Sequence, residues 1–137
     1  MKIIDADGLI LGRLSSALAK QLLNGEEIVV VNAEKAIVTG KRKMVFEKYR
    51  KMRELSHARK GPHYPRKPDQ ILKRTVRGMI PYQTPKGRKA LKNLKVYIGI
   101  PNEFESKKTE SVSSASIKSI GKYVQLEEVS RFLGAKI

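Results

Sequence analysis

Residues 2–6 (KIIDA) set two isoleucines side by side, a spacing that puts one on each face of a strand and predicts a strand covered on both sides. After an Asp7-Gly8 turn, Leu11, Leu14, Leu18 and Leu22 recur at helical intervals, with Ala17 and Ala19 between them and Asn24-Gly25 behind them as a stop. That pattern predicts a helix. Ile28-Val29-Val30-Val31 is an unbroken β-branched run, the composition of a central buried strand in a parallel sheet. Residues 36–39 are expected to extend or neighbour it.

From 41 to 54, Val45, Tyr49 and Met52 share one helical face while Lys43, Glu47, Arg50 and Glu54 share another, so this helix docks one side and presents charge on the other. The periodicity stops at 56–68 (SHARKGPHYPRKP), where three prolines and a glycine predict an extended loop. Ala58 and Tyr64 are its only residues with apolar surface to anchor, so the loop is expected to be mobile without a partner. Pro68 and Asp69 suit the first turn of the next helix; Leu72, Val76 and Met79 mark its buried stripe and leave Lys73, Arg74 and Arg77 free opposite. Thr84-Pro85 reads as a cap followed by a first helical residue, opening a short helix with Ala90, Leu91 and Leu94 inward and Lys86, Arg88, Lys89 and Lys92 outward. Residues 95–100 (KVYIGI) have strand composition and end at Pro101-Asn102; 102–116 show no usable period; and 122–134 predict a last short strand and a small helix stopped by Gly134. Strands alternating with helices imply one α/β domain with a mainly parallel sheet of about four strands, spanning 1–137, with helices on both faces.

Charge changes the picture. The chain of 137 residues carries 29 Lys and Arg against 13 Asp and Glu, a net +16. Of these, 19 cations and three acids (Glu47, Glu54 and Asp69) lie within 41–95, so the whole excess falls in that segment and the rest is neutral. Charge placed only for solubility is interleaved over a surface; concentrated this way, it builds a local field for phosphate backbones and points to a nucleic-acid partner. The absence of cysteine excludes a disulfide framework and a thiolate metal site, and two histidines do not make a conventional zinc cluster. Apolar runs such as 28–31 are far below the roughly 18 residues of a membrane span, and the N-terminus lacks the layout of a signal peptide. A cytoplasmic protein with no cofactor, no membrane contact and no small-molecule substrate is expected.

Three short motifs invite enzymatic readings. Asp5-Ala6-Asp7-Gly8 at the end of the first strand looks like the nucleophile motif of haloacid-dehalogenase-type phosphatases, but the downstream acids that would hold Mg²⁺ against phosphate are missing, and a turn in which aspartates bond local amides is preferred. Gly40-Lys41 follows a strand-like run, yet Lys35 stands where a P-loop needs its first glycine and Arg42 where it needs Ser or Thr. Gly8 and Gly12 fail the dinucleotide-turn spacing. His57 and His63 flank the basic loop without an acidic partner nearby, and stacking on bases or plain solvation suits them better than catalysis. Tyr64 and Tyr82 offer rings for stacking on unpaired bases, with partial burial as the alternative.

Thr75-Val76-Arg77-Gly78-Met79-Ile80-Pro81, then Gly87-Arg88-Lys89-Ala90-Leu91-Lys92-Asn93-Leu94-Lys95-Val96-Tyr97-Ile98-Gly99, preceded by Leu11-Gly12-Arg13-Leu14 and Asn32-Ala33-Glu34-Lys35 with Thr39-Gly40, resembles the universal large-subunit ribosomal protein family thirteen. Four motifs in order cover nearly the whole chain, and the short link after the first helix and the tail after Asn102 look like the archaeal and eukaryotic branch. The resemblance implies a three-layer α/β/α domain and a non-catalytic constituent of the large ribosomal subunit. It would bind large-subunit rRNA, support its folding and assembly, and lie beside neighbouring ribosomal proteins. By position, the residues expected to contact RNA are Lys35, Lys41, Arg42, Arg59, Lys60, Arg66, Lys67, Lys73, Arg74, Arg77, Arg88 and Lys89. Gly78 and Gly87 would permit close backbone approach or serve as turn glycines.

Overall fold

The computed structural model describes residues 1–55, 59–116 and 121–136. In order, its elements are β1 (Lys2–Asp5), α1 (Leu11–Leu23), β2 (Ile28–Val31), β3 (Ile37–Thr39), α2 (Arg42–Glu54), α3 (Pro68–Gly78), α4 (Pro85–Lys92), β4 (Leu94–Val96), β5 (Tyr123–Gln125) and α5 (Leu126–Phe132). β2 lies between β1 and β4, parallel to both, in register Lys2 with Ile28 and Ile28 with Leu94. Its continuous apolar run is explained by that position. Ile28 and Val30 enter the main core with Ile4 and Leu94, whereas Val29 and Val31 join Ile3 and Phe104 on the other face. All four residues of β2 are buried.

The two faces are unequally covered. On the main side, α1 buries Leu11, Leu14, Leu18 and Leu22 as its spacing requires, each leucine contributing about 1.5–3 kcal/mol of hydrophobic stabilisation. α3 adds Ile71, Leu72 and Val76. The opposite side is closed by a 3₁₀ turn, Asn102–Phe104, whose Phe104 ring packs at 5.8 Å from Tyr97. Among the described residues, this turn and the two rings cover that face of the sheet.

The main parallel sheet has three strands rather than about four. The segment expected to extend or neighbour β2 instead forms β3, which pairs antiparallel with β5 in a separate two-stranded sheet, Val38 opposite Val124. β4 is also shorter than the 95–100 pattern suggests. After the Tyr97 amide donates to Val30 O (2.9 Å), the chain bends at Gly99 (φ +69°), and the carbonyls of Tyr97 and Gly99 accept from Ala33 N and Asn32 N. The backbone groups that would have continued the strand are thereby satisfied by the Asn32 turn.

The segment without a period, 102–116, runs along the outer edge of β1. Asp5 N donates to Glu110 O (3.0 Å) and Glu110 N to Ile3 O (2.7 Å), and Ile10 N donates to Ala115 O (2.8 Å). Asn32 takes the left-handed conformation (φ 57°), with its side-chain amide donating to Asp5 Oδ1 at 3.0 Å. The Asp7 amide donates to the same oxygen. Asp5 thus ties the β1 exit to the β2 exit.

Candidate nucleic-acid interface

α3 begins with Pro68 at its first position and Asp69 in its first turn, and turns Ile71, Leu72 and Val76 inward. Its charged positions consequently face away from the core. Met79, expected in the buried stripe, is 44% exposed beyond the helix end; Ile80 is buried instead, because the chain tightens into a turn after Gly78. α4 starts as its Thr84-Pro85 pair predicts: the Thr84 hydroxyl accepts from Gly87 N (3.2 Å) and donates to Pro81 O (2.8 Å). A Cβ added at Gly87 would lie 1.9 Å from Pro81 O, so the absence of a side chain lets α4 close on the Pro81 turn, while Gly78 has open space around it.

Between α3, α4 and the loop before α3 lies a cleft of about 310 Å³, lined by His63, Pro65, Gln70, Lys73, Arg74, Arg77 and Leu91. The three α3 cations are not simply free on the opposite face, as their spacing suggested. The ammonium of Lys73 donates to Leu94 O (3.1 Å), tying α3 to β4. Arg74 Nη1 donates to His63 O (3.0 Å), and its guanidinium lies 5.1 Å from the centre of the Tyr64 ring. Arg77 stands over the Tyr82 ring at the same distance. The two tyrosines read as base-stacking candidates back arginines instead, one partly buried and one exposed.

The loop itself is anchored at Tyr64. Its ring packs 5.9 Å from Tyr49, and its carbonyl accepts from Arg53 Nη1 at 2.6 Å. Burial pushes both phenols above their ordinary pKa; the adjacent Tyr64 adds to the effect on Tyr49, whereas Arg74 partly offsets it for Tyr64. Burial, with Arg66 nearby, pulls the Arg53 guanidinium below its ordinary value. His57 and the start of the loop at 56–58 lie outside the described residues, so the expectation of a mobile loop concerns structure only from Arg59 onward, and there Tyr64 supplies an anchor.

The twelve expected contacts do not form one patch. Lys73, Arg74 and Arg77 converge on the cleft, and α4 carries exposed Arg88 and Lys89 beside it. Lys60, Arg66 and Lys67 are exposed on the loop, and Arg59 is exposed but engaged by a contact of its own. Lys60, Arg66, Lys67, Arg88 and Lys89 make no ion pair among the described residues. Lys35, in the turn after β2, and Lys41, at the start of α2, are exposed outside the cleft lining. Arg42 ion-pairs with Glu128 at 3.1 Å and covers the Phe46 ring, so a phosphate would have to compete for it. Sequence reasoning missed Arg53 and Gln70. Arg53 has no local signal, since the carbonyl it holds belongs to a residue eleven positions away.

A family model described as "Ribosomal protein L13" matches residues 1–103. The chain belongs to the ribosomal protein L13 family. It is similar to "Large ribosomal subunit protein uL13" of Archaeoglobus fulgidus, 51% identical over 96% of this chain and 86% of that one. It resembles the proteins of that name from Methanosarcina barkeri, 50% identical over 99% of both chains, and Thermoplasma volcanium, 44% identical over 98% of both. The motifs of this L13-family chain divide by role. Leu11 and Leu14 are core, Asn32 makes the strand-connecting turn, Arg77 lines the cleft, Gly87 seats α4, and Arg88 and Lys89 face solvent. Asp5, the would-be phosphatase nucleophile, spends one carboxylate oxygen on two structural hydrogen bonds.

Proposed function

We propose that this L13-family chain is a structural constituent of the cytoplasmic ribosome's large subunit, binding large-subunit rRNA through the cleft, the α4 surface and the loop. It supports rRNA folding and assembly beside neighbouring ribosomal proteins and catalyses no reaction. The observation that carries the reading is the set of exposed cations on the loop and α4, Lys60, Arg66, Lys67, Arg88 and Lys89, that make no ion pair among the described residues, together with the half-buried Lys73, Arg74 and Arg77 that line the cleft. Such cations raise the local potential and gain phosphate contacts without first breaking internal pairs. The neutral remainder of the domain holds them in fixed relation, so the spacing of phosphates in a folded RNA, rather than base sequence, provides selectivity. The basic positions named above are the proposed contacts.

The test has two arms. On a sedimentation gradient of cell lysate, the protein travels with the large subunit; migration at the top of the gradient alone would overturn the assignment. In solution at about 0.15 M salt, it binds large-subunit rRNA fragments more tightly than a random duplex, with a log–log salt slope of roughly −4 to −8 if about six to ten cations meet phosphates. Replacing Arg88 and Lys89 together by Gln reduces that slope in magnitude by about two without altering the melting temperature. Equal affinity for fragment and random duplex would mean a shape-blind polyanion binder.

A further inference from the structure

Both arginines that line the cleft lie over an aromatic ring. Arg74 and Arg77 are three residues apart on α3, and each is backed by a tyrosine that does not itself line the cleft: Tyr64 behind Arg74 and Tyr82 behind Arg77. Part of the Arg74 edge is already occupied by His63 O. Each guanidinium therefore lies over a ring outside the lining while its residue bounds the cavity. The same lining includes Pro65 from the loop and Leu91 from α4, both only half-buried. Flat cationic and apolar surface in one concavity suits the face of a nucleobase, which stacks on guanidinium planes as it does on aromatic rings. The volume of about 310 Å³ stands at the small end of ligand pockets, which run from roughly 300 to 1,000 Å³. A single ligand unit can enter; the convex body of a duplex cannot. An acidic peptide would instead seek guanidinium edges for paired hydrogen bonds.

We propose that this cleft receives one unstacked nucleotide of RNA, its base lying on the Arg77 guanidinium against Leu91 and Pro65, with its phosphate drawn to the positive charge of α3. The inference rests on the RNA-binding reading and names what that site takes. Arg77 is the specificity-determining residue; Tyr82 is a positioning residue that acts through it.

The experiment uses the full chain and two RNA hairpins of matched length, one fully paired and one with a single bulged 2-aminopurine. The bulged hairpin binds about tenfold more tightly, in the range expected for one stacked base, and its fluorescence is quenched on binding. Arg77→Lys keeps the charge and loses the plane. It abolishes the preference and the quench, lowering affinity for the bulged hairpin more than for the paired one. Tyr82→Leu weakens the preference without altering the salt slope, and circular dichroism melts confirm that both variants are folded. Equal binding of the two hairpins by the wild type, or an Arg77→Lys variant that retains the bulge preference, overturns the nucleotide cleft while leaving RNA binding intact. Failure to bind either hairpin overturns both readings. Displacement of the bulged hairpin by a poly-glutamate peptide whose own binding falls with Arg77→Lys would assign the cleft to a protein partner instead.

Discussion

Replacing Gly87 by Ala tests how α4 is seated. The added Cβ would lie 1.9 Å from Pro81 O, 2.4 Å from Pro81 C and 2.9 Å from Tyr82 N, all backbone atoms that no rotamer change can move aside. Reaching even 3.0 Å requires a shift of about 1.1 Å between α4 and the Pro81 turn. That turn is held by its own bonds: Pro81 O accepts from Thr84 N (3.0 Å) and from the Thr84 hydroxyl, which in turn caps Gly87 N. Overpacking of this kind costs about 1–3 kcal/mol, and losing the cap adds about 1 kcal/mol. The helical preference of Ala over Gly returns about 0.5–1 kcal/mol. The net loss is about 1–3.5 kcal/mol, a substantial part of the roughly 5–15 kcal/mol of an ordinary domain. Urea denaturation reads it as a midpoint lowered by roughly 0.3–3.5 M, given a slope of roughly 1–3 kcal/mol/M. RNA affinity falls with it, since Arg88 and Lys89 ride on the displaced helix. A Gly87→Ala variant within about 0.5 kcal/mol of wild type would refute the account of α4 docking.

Gly78→Ala is the contrasting case: Gly78 is exposed, with open space around it at the end of α3, so stability stays level or rises by up to about 1 kcal/mol in the same denaturation. Tyr49→Phe changes the alkaline limb of the stability curve. The folded phenol's pKa is raised, so above the unfolded value of about 10 only the unfolded state releases the proton, and wild-type stability declines by up to about 1.4 kcal/mol per pH unit; the Phe variant shows a shallower decline between pH 10 and 11. At Asn32, both Ala and Gly remove the hydrogen bond to Asp5, but Ala also carries the left-handed backbone penalty, so Asn32→Ala is less stable than Asn32→Gly by about 1 kcal/mol in thermal melts. Ser15→Ala is neutral or slightly stabilising by calorimetry, because the buried Ser15 hydroxyl has no hydrogen-bond partner among the described residues.

What could be read from the chain depended on how local the controlling contacts are. The paired Ile3 and Ile4, the run at 28–31 and the leucines of α1 report burial directly, since each side chain's surroundings follow from its own position in a strand or helix. The Thr84 cap was legible for the same reason. The strand at 95–100 was overread because its continuation is decided by Asn32 and Ala33, more than sixty residues earlier, which take the carbonyls of Tyr97 and Gly99. The β3–β5 pairing joins residues 84 apart in its Thr39–Tyr123 register, which alternation alone does not specify. At the site, charge density marks a segment but not its arrangement. Nothing in the spacing of Arg74 and Arg77 reveals that a tyrosine lies behind each, nor that Arg42 is already engaged by Glu128.

The segment at 102–116 bears on the interval between synthesis and assembly. A three-stranded sheet is small enough that an open flank could recruit a second chain by strand addition, and a protein awaiting its RNA would be vulnerable at that stage. Glu110 occupies the flank of β1, donating to Ile3 and accepting from Asp5. The other flank, β4, is three residues long and carries an exposed Lys95. With one border occupied and the other short and charged, the sheet offers little template for a second copy, and the +16 charge adds mutual repulsion between free molecules. Strand addition by a second copy is thereby opposed by the backbone on one flank and by electrostatics on the other.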